Sequence, residues 1–211
     1  MLAVRADFFA RDKNCGYCKV WFFMILKNLR GQTRERHAAV EARLPLVDPA
    51  LTRAAYEEIL TRFYGFYLPL EGRLLAVSFW TEIGFVVEAR RKVARLEQDL
   101  QQLRAAAELA RLPMCAELPE IASPAQALGC LYVMEGATLG GQVITRQLQK
   151  NLGITPETGG AFFAGYGAET GSRWKEFGAM ITAQAPRLGQ DGVIVASANR
   201  TFETLEHWLS H

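Results

Sequence analysis

Leu128-Gly-Cys-Leu-Tyr-Val-Met-Glu-Gly-Ala-Thr-Leu-Gly-Gly-Gln-Val-Ile144 is the stretch on which the reading of this chain turns. Ser123-Pro124 before it and Gly153 after it are the opening and closing signals of a helix. Yet Gly129, Gly136, Gly140 and Gly141 stand inside what would be one long rod. Each interior glycine costs roughly 0.5–1 kcal/mol relative to alanine, so several in one helix call for an offsetting gain. Gly129, Gly136 and Gly140 are seven and four residues apart and share one stripe. A stripe without side chains lets a flat ligand lie against the backbone and lets the helix bend over it. It equally lets a second helix pack closely, and the spacing alone leaves both readings open.

The flanks also read as helices. Leu29 to Leu44 is built of helix formers and stops before Pro45. Asp48-Pro49 opens a segment with Leu51, Tyr56, Ile59, Leu60, Phe63 and Tyr67 at three-to-four spacing, which Pro69 should end or kink. Glu88 to Leu109 carries the stripe Val93, Leu96, Leu100 and Leu103. After a glycine-rich connection over 159–171, helices are expected at Ser172–Ala185 and Asp191–Leu209. No strand pattern of comparable strength is present. The expectation is a single all-α domain over 28–211, with 1–27 as an N-terminal extension whose apolar part packs on it.

Composition narrows the function classes. Of 211 residues, 50% are hydrophobic and 22% charged, which is globular and excludes a disordered or fibrous chain. The 24 basic and 22 acidic side chains nearly cancel, so charge lends no support to nucleic-acid binding. No apolar run approaches the ~18 residues of a membrane span. Four cysteines in this length do not make a disulfide scaffold, and a reducing cytoplasm is the default. Cys15-Gly-Tyr-Cys18 has the form of half a zinc site or a redox dithiol, but no partner spacing or strand-helix-strand context accompanies it. It reads as two unrelated thiols. Arg90-Arg91-Lys92 reads as a solvated helix face or as part of a surface for an acidic partner.

A second constellation surrounds His37. Arg30, Arg34 and Glu41 lie seven before, three before and four after it, on one helix face. A neutral imidazole there could bind a metal or heme iron while the arginines reach anionic groups of the same ligand. The plainer alternative is a charged, solvated face bearing one histidine. His207 and His211 sit at the C-terminus, and no His-x-x-x-His or Glu-x-x-His pair exists, so no dedicated multi-ligand metal site is expected.

Together these stretches resemble the heme oxygenase family, especially the bacterial branch associated with bacteriophytochromes. The resemblance runs from about Leu26 to the C-terminus. It rests on Leu29-Arg30, Thr33-Arg34 and His37, on Phe63-Tyr-Gly-Phe-Tyr67 and Leu70-Glu71, on Leu96-Glu-Gln-Asp-Leu100, and on Leu131-Tyr-Val-Met-Glu-Gly136 running into Leu139-Gly-Gly-Gln-Val143. It implies an all-helical sandwich with heme between a proximal and a distal helix, oxidised to biliverdin, ferrous iron and carbon monoxide. Heme is both substrate and cofactor in that chemistry. His37 would be the proximal ligand, with Glu41 beside it. Gly136, Gly140 and Gly141, with Tyr132, would line the distal face. Arg30, Arg34 and Lys175 would lie near the propionates, and Phe202 would form an aromatic wall.

Ala137 stands where many family members carry an aspartate, which leaves Thr138, Tyr132 and ordered water as the implied proton route. The arginine expected from the later helix has Arg173 as its nearest candidate. Without a Gly-x-Gly-x-x-Gly fingerprint, electrons would come from a ferredoxin or flavodoxin-type reductant, and a bacteriophytochrome is an implied biliverdin acceptor. Three alternatives stand beside this reading. One is a heme carrier on the same fold. Another is a thiamin-degrading hydrolase using Cys130. The third is a di-iron oxidase, whose Glu-x-x-His ligands are missing.

Overall fold

The computed structural model describes residues 24–103 and 109–210, and every regular element in that range is helical. Residues 1–23, which include Cys15 and Cys18, lie outside the described residues, as does His211. The described chain opens with α1 (Met24–Gln32) and α2 (Arg34–Ala42), where one helix over 29–44 was expected. The interruption is a bend. Thr33 N–H donates to the Leu29 carbonyl and His37 N–H to the Thr33 carbonyl, both at 2.9 Å. The buried Thr33 hydroxyl donates to the same Leu29 oxygen at 2.8 Å, a back-bond that bends helices. Ile25 is buried and Leu26 packs on the core, so the helix is already seated ahead of residue 28.

Helix α3 (Arg53–Leu75) starts later than Asp48-Pro49 suggested. The Asp48 carboxylate instead accepts the Ala50 N–H at 2.8 Å and makes a turn, while the Thr52 hydroxyl caps α3 by accepting from Ala55 N–H. Pro69 does not end it. A proline orphans the carbonyl four residues back, here that of Gly65. Cys115 N–H donates to that oxygen at 2.9 Å. Gly65 makes the approach possible, because a Cβ there would overlap the Pro113 carbonyl oxygen.

The helix expected over 88–109 is split. A short α4 (Phe79–Glu82) and a 3-10 turn (Val87–Arg90) precede α5 (Val93–Leu103). Glu71 of α3 starts α5 by accepting the Lys92 and Val93 N–H groups on one oxygen. The stripe Val93, Leu96, Leu100 and Leu103 is buried, and α5 packs on α3. Arg90 and Lys92 turn inward and are buried; of that triplet only Arg91 is exposed. Neither a solvated face nor a docking surface describes the cluster.

The glycine-bearing rod is two helices, α6 (Pro124–Gly136) and α7 (Gly141–Leu152). Ser123 caps the first and Gly153, at φ +68°, closes the second. Between them the hydrogen bonds shorten to three-residue turns, Leu139 N–H to Gly136 at 3.0 Å and Gly141 N–H to Thr138 at 3.3 Å. As a straight rod, 124–152 is long and apolar enough to cross a bilayer by length and composition, but it is broken here and most of its apolar stretch is buried in the protein.

The glycine-rich connection holds α8 (Ala161–Ala164), followed by α9 (Thr170–Leu188) and α10 (Asp191–Leu209). Helix α10 runs along α6 and also packs on α1, α2 and α3, while α9 touches α6 and α1. Helix α10 therefore supports both the His37 helix and the glycine helix, within a single all-α domain.

Candidate functional site

Phe202, buried on α10, faces α2. Its ring lies 5.6 Å from the His37 imidazole, edge-on at 86°. The His37 side chain is 51% exposed, and its Nδ1 is 3.4 Å from Glu41 Oε2 one turn on. Glu41 and Phe202 thus orient the ring, and among the described residues no protein group bonds Nε2. Arg34 and Arg30 are exposed on the preceding turns. Because the chain bends at Thr33 without stopping, α1 stays in register with α2.

Tyr132 of α6 joins these helices. Burial pushes its phenol up, outweighing the nearby Thr33 hydroxyl and Arg30 charge, which favour the ionised form. Its ring also lies 6.0 Å from Trp174 of α9.

The two readings of the glycine stripe divide between its members. A Cβ on Gly129 would overlap the Ile194 carbonyl oxygen and come 2.7 Å from Ser197 Cβ. One on Gly141 would overlap the Phe163 carbonyl oxygen. These two glycines allow close packing. Gly136 and Gly140 would meet nothing within 4 Å. Beside them Ala137 is exposed, and Leu139 and Val143 are 47% and 55% exposed. Tyr132 and Gly136 share one face of α6, and with Gly140 and the exposed Leu139 and Val143 beyond the bend they leave an open, apolar strip with bare backbone. Exposed contiguous apolar surface of this kind marks a binding face.

Several expected residues stand elsewhere. Gly141 is buried against the Phe163 backbone, away from the strip, where it seats the start of α7. Thr138 is buried beside Gly165, and its hydroxyl donates to the Glu135 carbonyl at 2.7 Å, so it faces inward. Lys175 is exposed next to Trp174, with no hydrogen bond or ion pair to the other site residues among those described. Arg173 pairs with Glu169 at 3.3 Å and Glu176 at 3.9 Å, and its carbonyl accepts from Arg90, so it belongs to a different cluster.

That cluster was not anticipated. Glu135, 1% exposed, receives Arg90 Nη1 at 2.8 Å and Lys92 Nζ at 2.7 Å. The Tyr166 hydroxyl donates to it at 2.7 Å. Burial pushes the Lys92 ammonium down, opposed by Glu135, and pushes the Tyr166 phenol up. A signal for it existed: a carboxylate amid the apolar run 125–136 must find cations if that helix is buried.

Cys130 offers no activated nucleophile. It is buried, burial pushes its thiol up, and it receives the Thr201 hydroxyl at 3.1 Å with Ser197 Oγ 3.5 Å away. No three His, Cys, Asp or Glu side chains converge among the described residues. His37 is thus a lone imidazole that can offer one ligand to a metal whose other ligands come from elsewhere. An imidazole, an open apolar strip and exposed arginines together suit a flat, apolar, anionic-edged ligand.

The sequence matches the heme oxygenase family over residues 24–211. The fold is similar to the NO- and CO-bound heme oxygenase of Neisseria meningitidis (TM-score 0.73, 22% identity, covering 88% of this chain and 89% of that one). It is similar to the heme oxygenase of Leptospira interrogans (TM-score 0.70, 18% identity, covering 88% and 98%). It also resembles heme oxygenase-1 of the cyanobacterium Synechocystis in complex with heme (TM-score 0.67, 16% identity, covering 88% and 90%). No curated protein matches the sequence.

Proposed function

The chain belongs to the heme oxygenase family, and we propose that it binds heme between α2 and the α6–α7 bend and oxidises it to biliverdin, ferrous iron and carbon monoxide. The observation that carries this reading is the half-exposed His37, oriented by Glu41 and Phe202, on the same support as the open Gly136–Gly140 strip. His37 Nε2 would hold the heme iron. The Glu41 carboxylate lies 3.4 Å from Nδ1 and leaves Nε2 open. Phe202 restrains the swing of the ring.

On the opposite face, Gly136 and Gly140 admit a macrocycle against the backbone, and Leu139 and Val143 exclude water around it. Arg30 and Arg34 take the propionates, with Lys175 a more distant cation. Bound heme supplies the dioxygen and electron chemistry. Its electrons come from a ferredoxin or flavodoxin-class partner. Tyr132, kept protonated by burial, is the strip's own hydroxyl; Ala137 adds no acid and leaves the rest of the proton supply to solvent.

The test is a hemin titration followed by reduction under air, with wild type and His37→Ala side by side. Wild type should give a one-to-one Soret complex that converts to biliverdin, and the variant should lose normal ligation and conversion. A stable wild-type complex that yields no biliverdin would favour a heme carrier, the reading that Ala137 supports. Absence of specific hemin binding would overturn both.

A further inference from the structure

Glu135 precedes Gly136 in the chain, and its two ends do different work. Its carbonyl accepts both the Thr138 N–H, at 3.2 Å, and the Thr138 hydroxyl, at 2.7 Å, which holds the first residues of the bend. Its carboxylate points the other way, into the protein, where Arg90, Lys92 and the Tyr166 hydroxyl saturate it. Those partners come from the 3-10 turn, the start of α5 and the segment between α8 and α9. Arg90 carries the connection further, through Nη1 to the Arg173 carbonyl at 3.0 Å and through Nη2 to Glu176 at 2.6 Å. Both residues flank Trp174, which packs on Tyr132 at the head of the open strip.

A helix end made of glycines needs such a brace. Gly136 and Gly140 have no side chain to lock them, and a Cβ on either would touch nothing, so neither packs the strip in place. Stability does not account for the choice of ions, since apolar residues of similar volume often replace a buried ion triad at no loss. What charges add is direction: short bonds to one carboxylate admit one placement of the α6 terminus. We propose that Glu135, held by Arg90, Lys92 and Tyr166, is a positioning residue that fixes where the Gly136–Gly140 backbone stands over the ligand face. The role as a distal brace rests on the heme reading above; the brace on the backbone does not.

Two readouts test it: amide hydrogen exchange of residues 136–141 in the ligand-free protein, and hemin affinity from a Soret titration. The variants are Glu135→Gln, the compensated triple Glu135→Leu, Arg90→Met, Lys92→Met, and Leu60→Val, a buried α3 substitution chosen as a stability control. Glu135→Gln should speed exchange at 136–141 by about tenfold or more. It should also weaken hemin by about tenfold, the lower range for a lost supporting contact. The triple should do the same with a thermal midpoint near wild type.

Leu60→Val should leave both readouts within about twofold, the spread of an uncoupled site. Wild-type exchange and affinity in the triple would overturn the proposal, as would a Leu60→Val protein that reproduces the Glu135→Gln pattern. If the triple fails to fold, Glu135→Gln against the control decides. A wild type that binds no hemin would sink the heme reading and the ligand-facing role together, leaving the brace itself to the exchange data.

Discussion

Alanine at Gly136 and alanine at Gly129 should move stability in opposite directions, although both lie in α6. At Gly136 the backbone is helical and an added Cβ meets nothing within 4 Å. The substitution narrows the unfolded ensemble and improves helix propensity, a gain of about 0.5–1 kcal/mol. For a domain of this size that raises the thermal midpoint by about 1–4 °C. At Gly129 the Cβ would overlap the Ile194 carbonyl oxygen, with Ser197 Cβ at 2.7 Å and Ala198 N at 2.9 Å. These are backbone atoms and a Cβ, none of which can swing aside, so α6 and α10 must separate. Overpacking of this kind costs about 1–3 kcal/mol. The strain also falls on the Ser197 hydroxyl that donates to the Gln126 carbonyl at 2.8 Å. Urea or thermal unfolding of the ligand-free variants measures the signs. Hemin titration then separates the roles: Gly136→Ala, the more stable protein, should bind hemin more weakly because its methyl stands on the open strip. Gly129→Ala should keep its affinity to the extent that it folds. A Gly136→Ala protein that loses stability, or that binds hemin as wild type does, would refute this assignment of the stripe.

Two further outcomes follow from the packing. Phe202→Ala removes a buried ring 5.6 Å from His37, costing about 3–5 kcal/mol for the cavity and freeing the imidazole. The hemin complex should show a broadened, shifted Soret band, and a sharp wild-type band would remove Phe202 from the site. Asp99 accepts the Ala161 and Phe162 N–H groups at 2.8 and 2.7 Å, yet burial, the larger effect, raises its carboxyl from 3.8 to about 6. A raised carboxyl binds protons more tightly folded than unfolded. Its contribution is therefore full below about pH 4 and is lost as pH rises to about 6, up to roughly 3 kcal/mol from linkage. Stability measured against Asp99→Asn should fall across that window, and a pH-independent difference would refute the reasoning.

Helix type was legible because apolar periodicity survives tertiary context: the Val93–Leu103 stripe is buried as its spacing required, and α10 spans the expected Asp191–Leu209. Helix continuity was not legible, because it depends on partners far along the chain. Pro69 reads as a terminator until Cys115 arrives to bond the carbonyl it frees. The Asp48-Pro49 start loses to an Asx turn. Arg90-Arg91-Lys92 reads as a charged surface until Glu135, dozens of residues later, draws two of the three inward. At the site, His37, Glu41 and Phe202 were within reach of sequence reading. Thr138 and Gly141 stand off the strip's face, about 200° and 140° round from Gly136 even on a straight helix, and pack inward beside Gly165 and Phe163.

Helix periodicity explains how α6 can hold a carboxylate without placing it on the ligand face. Residues 135 and 137 are about 200° apart around a helix, so one points back when the other points forward. Glu135 takes the inward position, where two cations and a phenol hold its charge, and Ala137 takes the open one. Among Tyr132, Gly136, Ala137, Gly140 and Val143, only Tyr132 carries a titratable group, and burial keeps it protonated. The strip's shape thus comes from a charge cluster behind it, while the strip itself is chemically quiet. A ligand seated there meets backbone, methyl groups and one phenol hydroxyl, and the reactive chemistry is left to what that ligand brings.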